Sequence, residues 1–251
     1  MYKLGLIGKS LTHSFSKKYF DQKFKKEKNN IFSYNTYDLK ELSHIKQIYH
    51  RKLIGINVTR PYKKQIIKYI DELDILAEKT QSVNTIFIDP KNKKKTGYNT
   101  DIIGFEKLLE RVYVKEGVKA LILGSGGVSN TVSYVLNKKK IKHKIVSRKL
   151  KNKMLSYENL SDVFFDFKLI INTTPLGQYP HIYDHPNIPY HLISNQHQCI
   201  DLIYNPEKTI FLRKSEEKGA KILNGHAMLV EQAEASFLIW KQCLKETECL
   251  S

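Results

Sequence analysis

The chain has 251 residues, 41% of them hydrophobic, and carries 42 Lys plus Arg against 25 Asp plus Glu, a formal net charge of +17. That length holds one large domain or two small ones, and the apolar fraction is enough to build real cores, which excludes disordered and fibrous classes. No apolar run reaches the ~18–20 residues of a membrane span, and the three cysteines, Cys199, Cys243 and Cys249, form no C-x-x-C pair, the usage expected of reduced thiols in a cytoplasm.

"MYKLGLIGKS" lacks the apolar core and cleavage site of a signal peptide and reads instead as a first strand that turns at Gly8. Short strands and helical stretches then alternate up to about residue 101: "SKKYFDQKFKKE" as a helix, "FSYNTYDL" and "LIGINVT" as strands. "QIIKYIDELDILAEKT" places Ile66, Ile67, Ile70, Leu73, Leu76 and Ala77 at helical spacing, so a helix is expected there, started by Pro61. "SVNTIFID" reads as a strand, followed by a lysine-rich hairpin loop and "KKTGYNT". "IIGFEKLLERV" reads as a connecting helix from residue 102, with Asp101 as its N-cap.

A second style of sequence begins at "VKALILGSGGVSNTVSYVLNKKKIKHKIVSRK", which is a buried strand, a glycine turn, a helix and a second strand within about 30 residues. "FKLIINTTP" and "HQCIDLIYNP" are further apolar strands ending in polar turns, and "AMLVEQAEASFLIWKQCL" is a long amphipathic helix. The expected architecture is α/β with two domains separated by a cleft. A substrate-binding domain takes residues 1–101 plus the helix from about 226 to 251. A Rossmann-like domain with a parallel sheet takes residues 102–225.

The lysine clusters "KFKKEKNN", "KNKKK" and "NKKKIKHK" fall on expected loops and solvent faces, with few interleaved aromatics and no nucleic-acid-binding motif. Neither a nucleic acid nor a membrane is expected as a partner. No metal site is expected.

Gly124, Ser125, Gly126, Gly127, Val128 and Ser129 form a relaxed G-x-G-x-x-G/A between a strand and a helix. Glycine lets the backbone approach a pyrophosphate, and the helix start offers free N–H groups and a positive dipole end. The second strand ends in Ser147, Arg148 and Lys149, with Lys151 close behind, and has no carboxylate to hold a ribose 2′-OH. Cations at that place suit a 2′-phosphate, so NADP is expected over NAD.

Polar groups cluster at strand ends: Ser14 and Ser16 in "THSFS", Asn57, Thr59 and Lys63 in "NVTRPYK", Asn84 in "SVNT", Asn99 and Asp101 in "GYNTD". Helix capping accounts for one serine but not for two flanking a phenylalanine. A lysine in the first turn of a helix sits against the positive dipole end, a small cost that points to an anionic partner.

In order and spacing these segments resemble the shikimate dehydrogenase family along essentially the whole chain: "GLIGKSLTHSFS", "NVTRPYK", "SVNT", "GYNTD", "GSGGVS", "INTTPLG", "DLIYNPEKT" and "NGHAMLVEQA". The resemblance implies that Ser14 and Ser16 bind a substrate carboxylate. It implies that Thr59, Asn84, Asp101 and Gln232 hold ring hydroxyls, that Tyr204 adds a contact, and that Lys63 and Asp101 form the catalytic pair. Gly124 to Val128 and Ser147 to Asn152 would hold NADP, including Lys149 and Lys151, with Leu202 and Gly225 near the nicotinamide. The implied reaction is the reversible NADPH-dependent reduction of 3-dehydroshikimate to shikimate, on the way to chorismate and aromatic amino acids. The implied partner is a small molecule, and the chain is expected to act in the cytoplasm as a monomer or homodimer. The nearest rival is a quinate/shikimate dehydrogenase using NAD, and a rival of another class is a basic binding protein that has lost catalysis. His226, Gln178 and Lys149 depart from the residues usual in the family.

Overall fold

The structure, a computed structural model, describes residues 1–11, 14–112, 115–148 and 154–249. The chain forms two compact units, Met1–Thr100 with Gln232–Ser251, and Asp101–Glu231.

The first unit is built on a six-stranded mixed sheet. In chain order its elements are β1 (Tyr2–Gly8), α1 (Phe15–Lys26), β2 (Phe32–Asp38), α2 (Ile45–Tyr49), β3 (Leu53–Val58), β4 (Glu72–Leu73), α3 (Ile75–Thr80), β5 (Thr85–Ile88) and β6 (Lys95–Tyr98). The strand order is β2-β1-β3-β5-β6-β4. Strands β2, β1 and β3 run parallel, β5 is antiparallel to both its neighbours, and β4 pairs parallel with β6.

Both faces of this sheet are covered. Ile7, Ile56, Val58 and Ile86 pack with Ile45, Ile66 and Ala77 on one side. Leu4, Leu6, Ile54 and Phe87 pack with Phe20, Phe24, Phe237 and Trp240 on the other. Ile54 and Ile56 face opposite sides because the β1–β3 register shifts between Lys3 and Leu4, and such a bulge changes the parity of everything after it. On the second face, Trp240 of the last helix (His226–Cys249) lies against Gly55 and donates its indole N–H to the Ile86 carbonyl at 2.9 Å.

The single helix expected over 65–80 is absent. The chain makes a 3-10 turn at Gln65–Tyr69, then β4, then α3. Pairing decides this. Asp71 takes the Lys95 ammonium and backbone N–H, β4 joins β6, and Asp74 accepts the Ala77 N–H at 2.9 Å as N-cap of a new helix. Ile66, Leu73 and Ala77 still serve one core, but from three elements.

The second unit holds α4 (Asp101–Leu109), β7 (Lys119–Leu123), α5 (Gly127–Lys138), β8 (Lys142–Val146), α6 (Leu160–Val163), β9 (Leu169–Asn172), β10 (Gln198–Asp201), α7 (Ile210–Glu216) and β11 (Lys221–Leu223). Asp101 is thus the first residue of α4 rather than a cap outside it. The five strands are all parallel in the order β11-β10-β9-β7-β8. Leu121, Leu123 and Ile170 meet Phe164, Phe211 and Cys199 in its core. Chain order reverses between β7 and β9, the switch point at which parallel sheets open a crevice beyond their carboxyl ends. Strand β8 is an edge, and Lys142 and Lys144 stand exposed on it, as charges that discourage strand addition do. No helix among the described residues is long and apolar enough to cross a membrane.

Candidate active site

In the first unit the topology gathers the polar segments at one end of the sheet. Strands β1, β3 and β6 finish there and the antiparallel β5 begins there. Backbone bonds tie the loops together: Thr59 N–H to the Ile7 carbonyl at 2.9 Å and Lys9 N–H to the Arg60 carbonyl at 3.2 Å. Thr59 sits so close to the end of β1 that a Cβ on Gly8 would lie 2.4 Å from its methyl group.

Lys63 is not in the first turn of a helix. It lies in a turn after β3, half-buried, with its carbonyl accepting the Val83 N–H at 2.9 Å. The neighbouring Tyr62 is anchored by its phenol to the Leu39 carbonyl at 2.7 Å and by its N–H to Thr59 at 3.0 Å. The turn therefore comes from tertiary anchoring on both sides of the lysine, and this holds Lys63 beside the Val83–Asn84 backbone. Ser14 has the extended backbone of an N-cap before α1, but its hydroxyl makes no capping bond. Ser16 is buried, and the nearby Tyr34 phenol donates to Asn57. Burial pushes that phenol far above its ordinary pKa, so Tyr34 stays a neutral donor.

Beneath these residues runs a buried polar network. Asn57 accepts from the Tyr34 hydroxyl at 2.8 Å and donates to the Asn84 carbonyl at 3.2 Å, Thr85 Oγ1 at 3.2 Å and Ser236 Oγ at 3.0 Å. The Asn84 side chain accepts the Thr100 N–H at 2.8 Å and donates to Thr100 Oγ1 at 2.8 Å and Gln232 Oε1 at 3.2 Å. Thr100 Oγ1 lies 3.0 Å from the Gln232 carbonyl and 3.0 Å from Ser236 Oγ. Buried polar groups this well paired rigidify a site. Sequence reading did not single out Tyr34, Thr85, Thr100 or Ser236. The one legible signal was the four-residue spacing of Gln232 and Ser236, which puts both on one face of the last helix.

In the second unit the glycine turn stands at the switch point. Gly124 has φ +106°, and a Cβ there would lie 2.9 Å from Thr173 Oγ1, so the turn packs directly on the end of β9. Gly126 is the N-cap of α5, makes no side-chain cap, and has open space where a Cβ would be. The first-turn N–H groups of α5 follow it, and Val128 lies in that turn. Ser129, in the same turn, is fully buried. Ser125 and Ser147 hydroxyls meet at 3.0 Å, joining the turn to the end of β8, and the exposed Arg148 follows. Lys149, Lys151 and Asn152 lie outside the described residues. An uncapped helix start, an unfilled glycine and serine and arginine at the end of β8 fit a phosphorylated dinucleotide.

Leu202 and Gly225 are brought together: a Cβ on Gly225 would lie 2.2 Å from the Leu202 carbonyl oxygen. Tyr204 follows on the same loop, half-buried. That loop is organised by Asp201, which sequence reading also missed. Its buried carboxylate accepts from Asn172 at 3.1 Å, the Ile203 N–H at 3.0 Å and Thr209 at 2.6 Å. Burial pushes its pKa up to about 6 against these hydrogen bonds. A carboxylate inside the apolar strand "CIDLI" was the available signal, since buried charge requires partners. His226 is exposed at the start of the last helix, where its N–H bonds Asn224 Oδ1 at 3.2 Å. Among the described residues, no cluster of His, Cys, Asp or Glu is placed to hold a metal ion.

Residues 6–86 match the family described as Shikimate dehydrogenase substrate binding domain. A shikimate dehydrogenase (NADP(+)) of Methanococcus maripaludis is 40% identical over 258 residues, covering 94% of this chain and 91% of that protein. The chain belongs to the shikimate dehydrogenase family. A shikimate dehydrogenase (NADP(+)) of Clostridium beijerinckii is 36% identical, covering 95% of this chain and 92% of its own length. The crystal structure of shikimate dehydrogenase from Aquifex aeolicus superposes with a TM-score of 0.84 at 32% identity, covering 97% of this chain and 93% of that one. The α/β architecture, one mixed sheet and one parallel sheet, is that of shikimate dehydrogenases.

Proposed function

We propose that the protein catalyses the reversible NADPH-dependent reduction of 3-dehydroshikimate to shikimate. The observation that carries this reading is the hydrogen bond between Asn84 and Gln232. These two expected substrate residues, 148 positions apart, meet at 3.2 Å. They do so at the sheet end where Thr59 and Lys63 also lie, in a chain whose relatives are named for this activity.

The glycine turn, Ser147 and Arg148 would hold the cofactor, which as NADPH would supply the hydride. The chain's own residues bind, orient and move the proton. Ser14 and Ser16 receive the substrate carboxylate beside the start of α1, where the helix dipole adds to their hydrogen bonds. Thr59, Asn84 and Gln232 hold the ring hydroxyls, and Tyr204 adds a contact. As hydride reaches the ring carbonyl carbon, negative charge grows on its oxygen. Lys63, as an ammonium, stabilises that charge and gives up its proton to form the alcohol; in the oxidative direction the neutral amine takes the proton back. Asp101 orients the ammonium and shares the substrate hydroxyl.

The rival cofactor reading, NAD with quinate, lacks support at the end of β8. Ser147 and Arg148 stand there and no carboxylate does. Initial rates of NADPH and NADH formation with shikimate and with quinate test the proposal. The expected result is turnover of shikimate with NADP at a kcat/KM well above that of any other pair. Preference for NAD, or for quinate, overturns it.

A further inference from the structure

We infer that Thr100 is a positioning residue that fixes which way the Gln232 carboxamide faces, so that Gln232 offers its N–H groups, not its oxygen, to a substrate hydroxyl. The inference rests on the substrate role proposed for Gln232.

The argument follows proton direction through three residues. A backbone N–H can only donate, so the Thr100 N–H at 2.8 Å identifies the acceptor side of the Asn84 carboxamide as Oδ1. The other arm is then Nδ2 with two protons. It lies 2.8 Å from Thr100 Oγ1 and 3.2 Å from Gln232, and donates to both. Because Asn84 donates, the atom of Gln232 that meets it must be Oε1. The opposite arm of Gln232 is therefore Nε2, a group with two donors and no acceptor. The Thr100 hydroxyl reinforces the arrangement at its other end. It accepts from Asn84 Nδ2, and its own proton faces the Gln232 carbonyl at 3.0 Å, Ser236 Oγ at 3.0 Å and Asn84 Oδ1 at 3.1 Å. Thr100 thus holds Asn84 through both its N–H and its hydroxyl, and that hydroxyl also lies against the Gln232 backbone. Asn84 is 1% and Thr100 1% exposed, so solvent does not compete for these bonds.

A Gln232 fixed in this sense is matched to an oxygen that accepts, such as a ring hydroxyl or carbonyl oxygen. Turned over, it would present an acceptor and lose that match, at a cost of the order that separates a made from an unmade buried hydrogen bond.

A double-mutant cycle tests the inference, read as KM for shikimate, KM for NADP, kcat and thermal melting. Thr100→Val keeps the N–H and loses the hydroxyl. It is expected to raise KM for shikimate roughly five- to tenfold, with KM for NADP unchanged and kcat within about threefold. Thr100→Ser restores KM to within about twofold. Gln232→Glu, which keeps an oxygen towards Asn84 but removes the outward donors, raises KM by more. In that background Thr100→Val adds less than about twofold, because Thr100 acts through the group already lost. A purely structural Thr100 would shift KM by the same factor in both backgrounds, and that outcome overturns the inference. So does an unchanged KM in Thr100→Val, or failure of serine to rescue. Thr100→Ala enters the same cycle if the valine variant does not melt cooperatively. A wild-type protein that does not oxidise shikimate with NADP overturns the proposed function instead.

Discussion

Lys63 and Lys64 are adjacent and identical in type, and the fold separates them. Lys64 is exposed, whereas Lys63 is half-buried in a turn fastened to Thr59, Leu39 and Val83. If Lys63 stabilises charge that exists only in the transition state, Lys63→Ala should lower kcat by a factor of about 10² to 10⁴ and change KM far less. A variant that keeps near-full kcat contradicts the assignment, and stopped assays with purified protein decide it. Asp201 makes a different kind of prediction. Its folded pKa, about 6, lies above the ordinary value of 3.8, so the native state holds the proton more tightly than the unfolded chain. By linkage, its contribution to stability falls as pH rises from about 4 to about 6, and above that window the carboxylate is carried at a cost of roughly 3 kcal/mol. Asp201→Asn keeps an oxygen for Asn172 and Ile203 and removes the titration. The stability difference between wild type and variant in urea should therefore move in the variant's favour between pH 4 and pH 7. A difference that does not change with pH sinks the claim.

At the scale of elements, close approach of backbone decides where substitution is tolerated. An alanine methyl at Gly225 would overlap the Leu202 carbonyl, which is backbone and has nowhere to go. Gly225→Ala should cost roughly 1–3 kcal/mol in chemical denaturation of the second unit. It should also raise KM for NADP, because Leu202 and Gly225 shift together. Unchanged stability and unchanged KM would contradict that packing. The same scale shows what the sequence made legible. The strand, glycine turn and helix at 119–138 could be read because β7 is buried and the turn needs glycine for local reasons. The helix expected at 65–80 could not be read correctly. Ile66, Leu73 and Ala77 have helical spacing, yet they reach one core from a 3-10 turn, a strand and a helix, and the pairing of β4 with β6 is a long-range contact. Helix α7 was missed although Thr209 caps Leu212 and Gly219, at φ +83°, follows its end, both signals that sequence carries. In the site, Ser14, Asn84 and Lys63 stood out as polar groups at the ends of apolar strands. Thr85, Thr100 and Ser236 did not, because single hydroxyls are common and only the fold shows that they converge.

For the whole molecule the unexplained quantity is charge. With +17 on 251 residues, Lys and Arg outnumber Asp and Glu 42 to 25, and exposed ion pairs such as Lys107–Glu110 and Lys208–Glu216 contribute little to stability. The strands and cores do not require this excess. What it does create is a long-range positive potential, and under the proposed function both reactants are anions, one with a single carboxylate and the other with several phosphate charges. Such a potential raises the local concentration of an anion and its association rate, and it is screened as the Debye length shrinks from about 30 Å at 0.01 M to about 8 Å at 0.15 M salt. The effect lives in encounter, not in chemistry. Raising sodium chloride across that range should therefore lower kcat/KM several-fold while kcat stays nearly constant. The decline should be steeper for NADP than for shikimate, because the dinucleotide carries more charge. Steady-state rates at fixed pH in sodium chloride and in an equal ionic strength of sodium acetate separate screening from occupation of the site by one particular anion. Equal slopes in the two salts support steering, and a kcat/KM that is flat with salt shows that the lysines act only as a solvated surface.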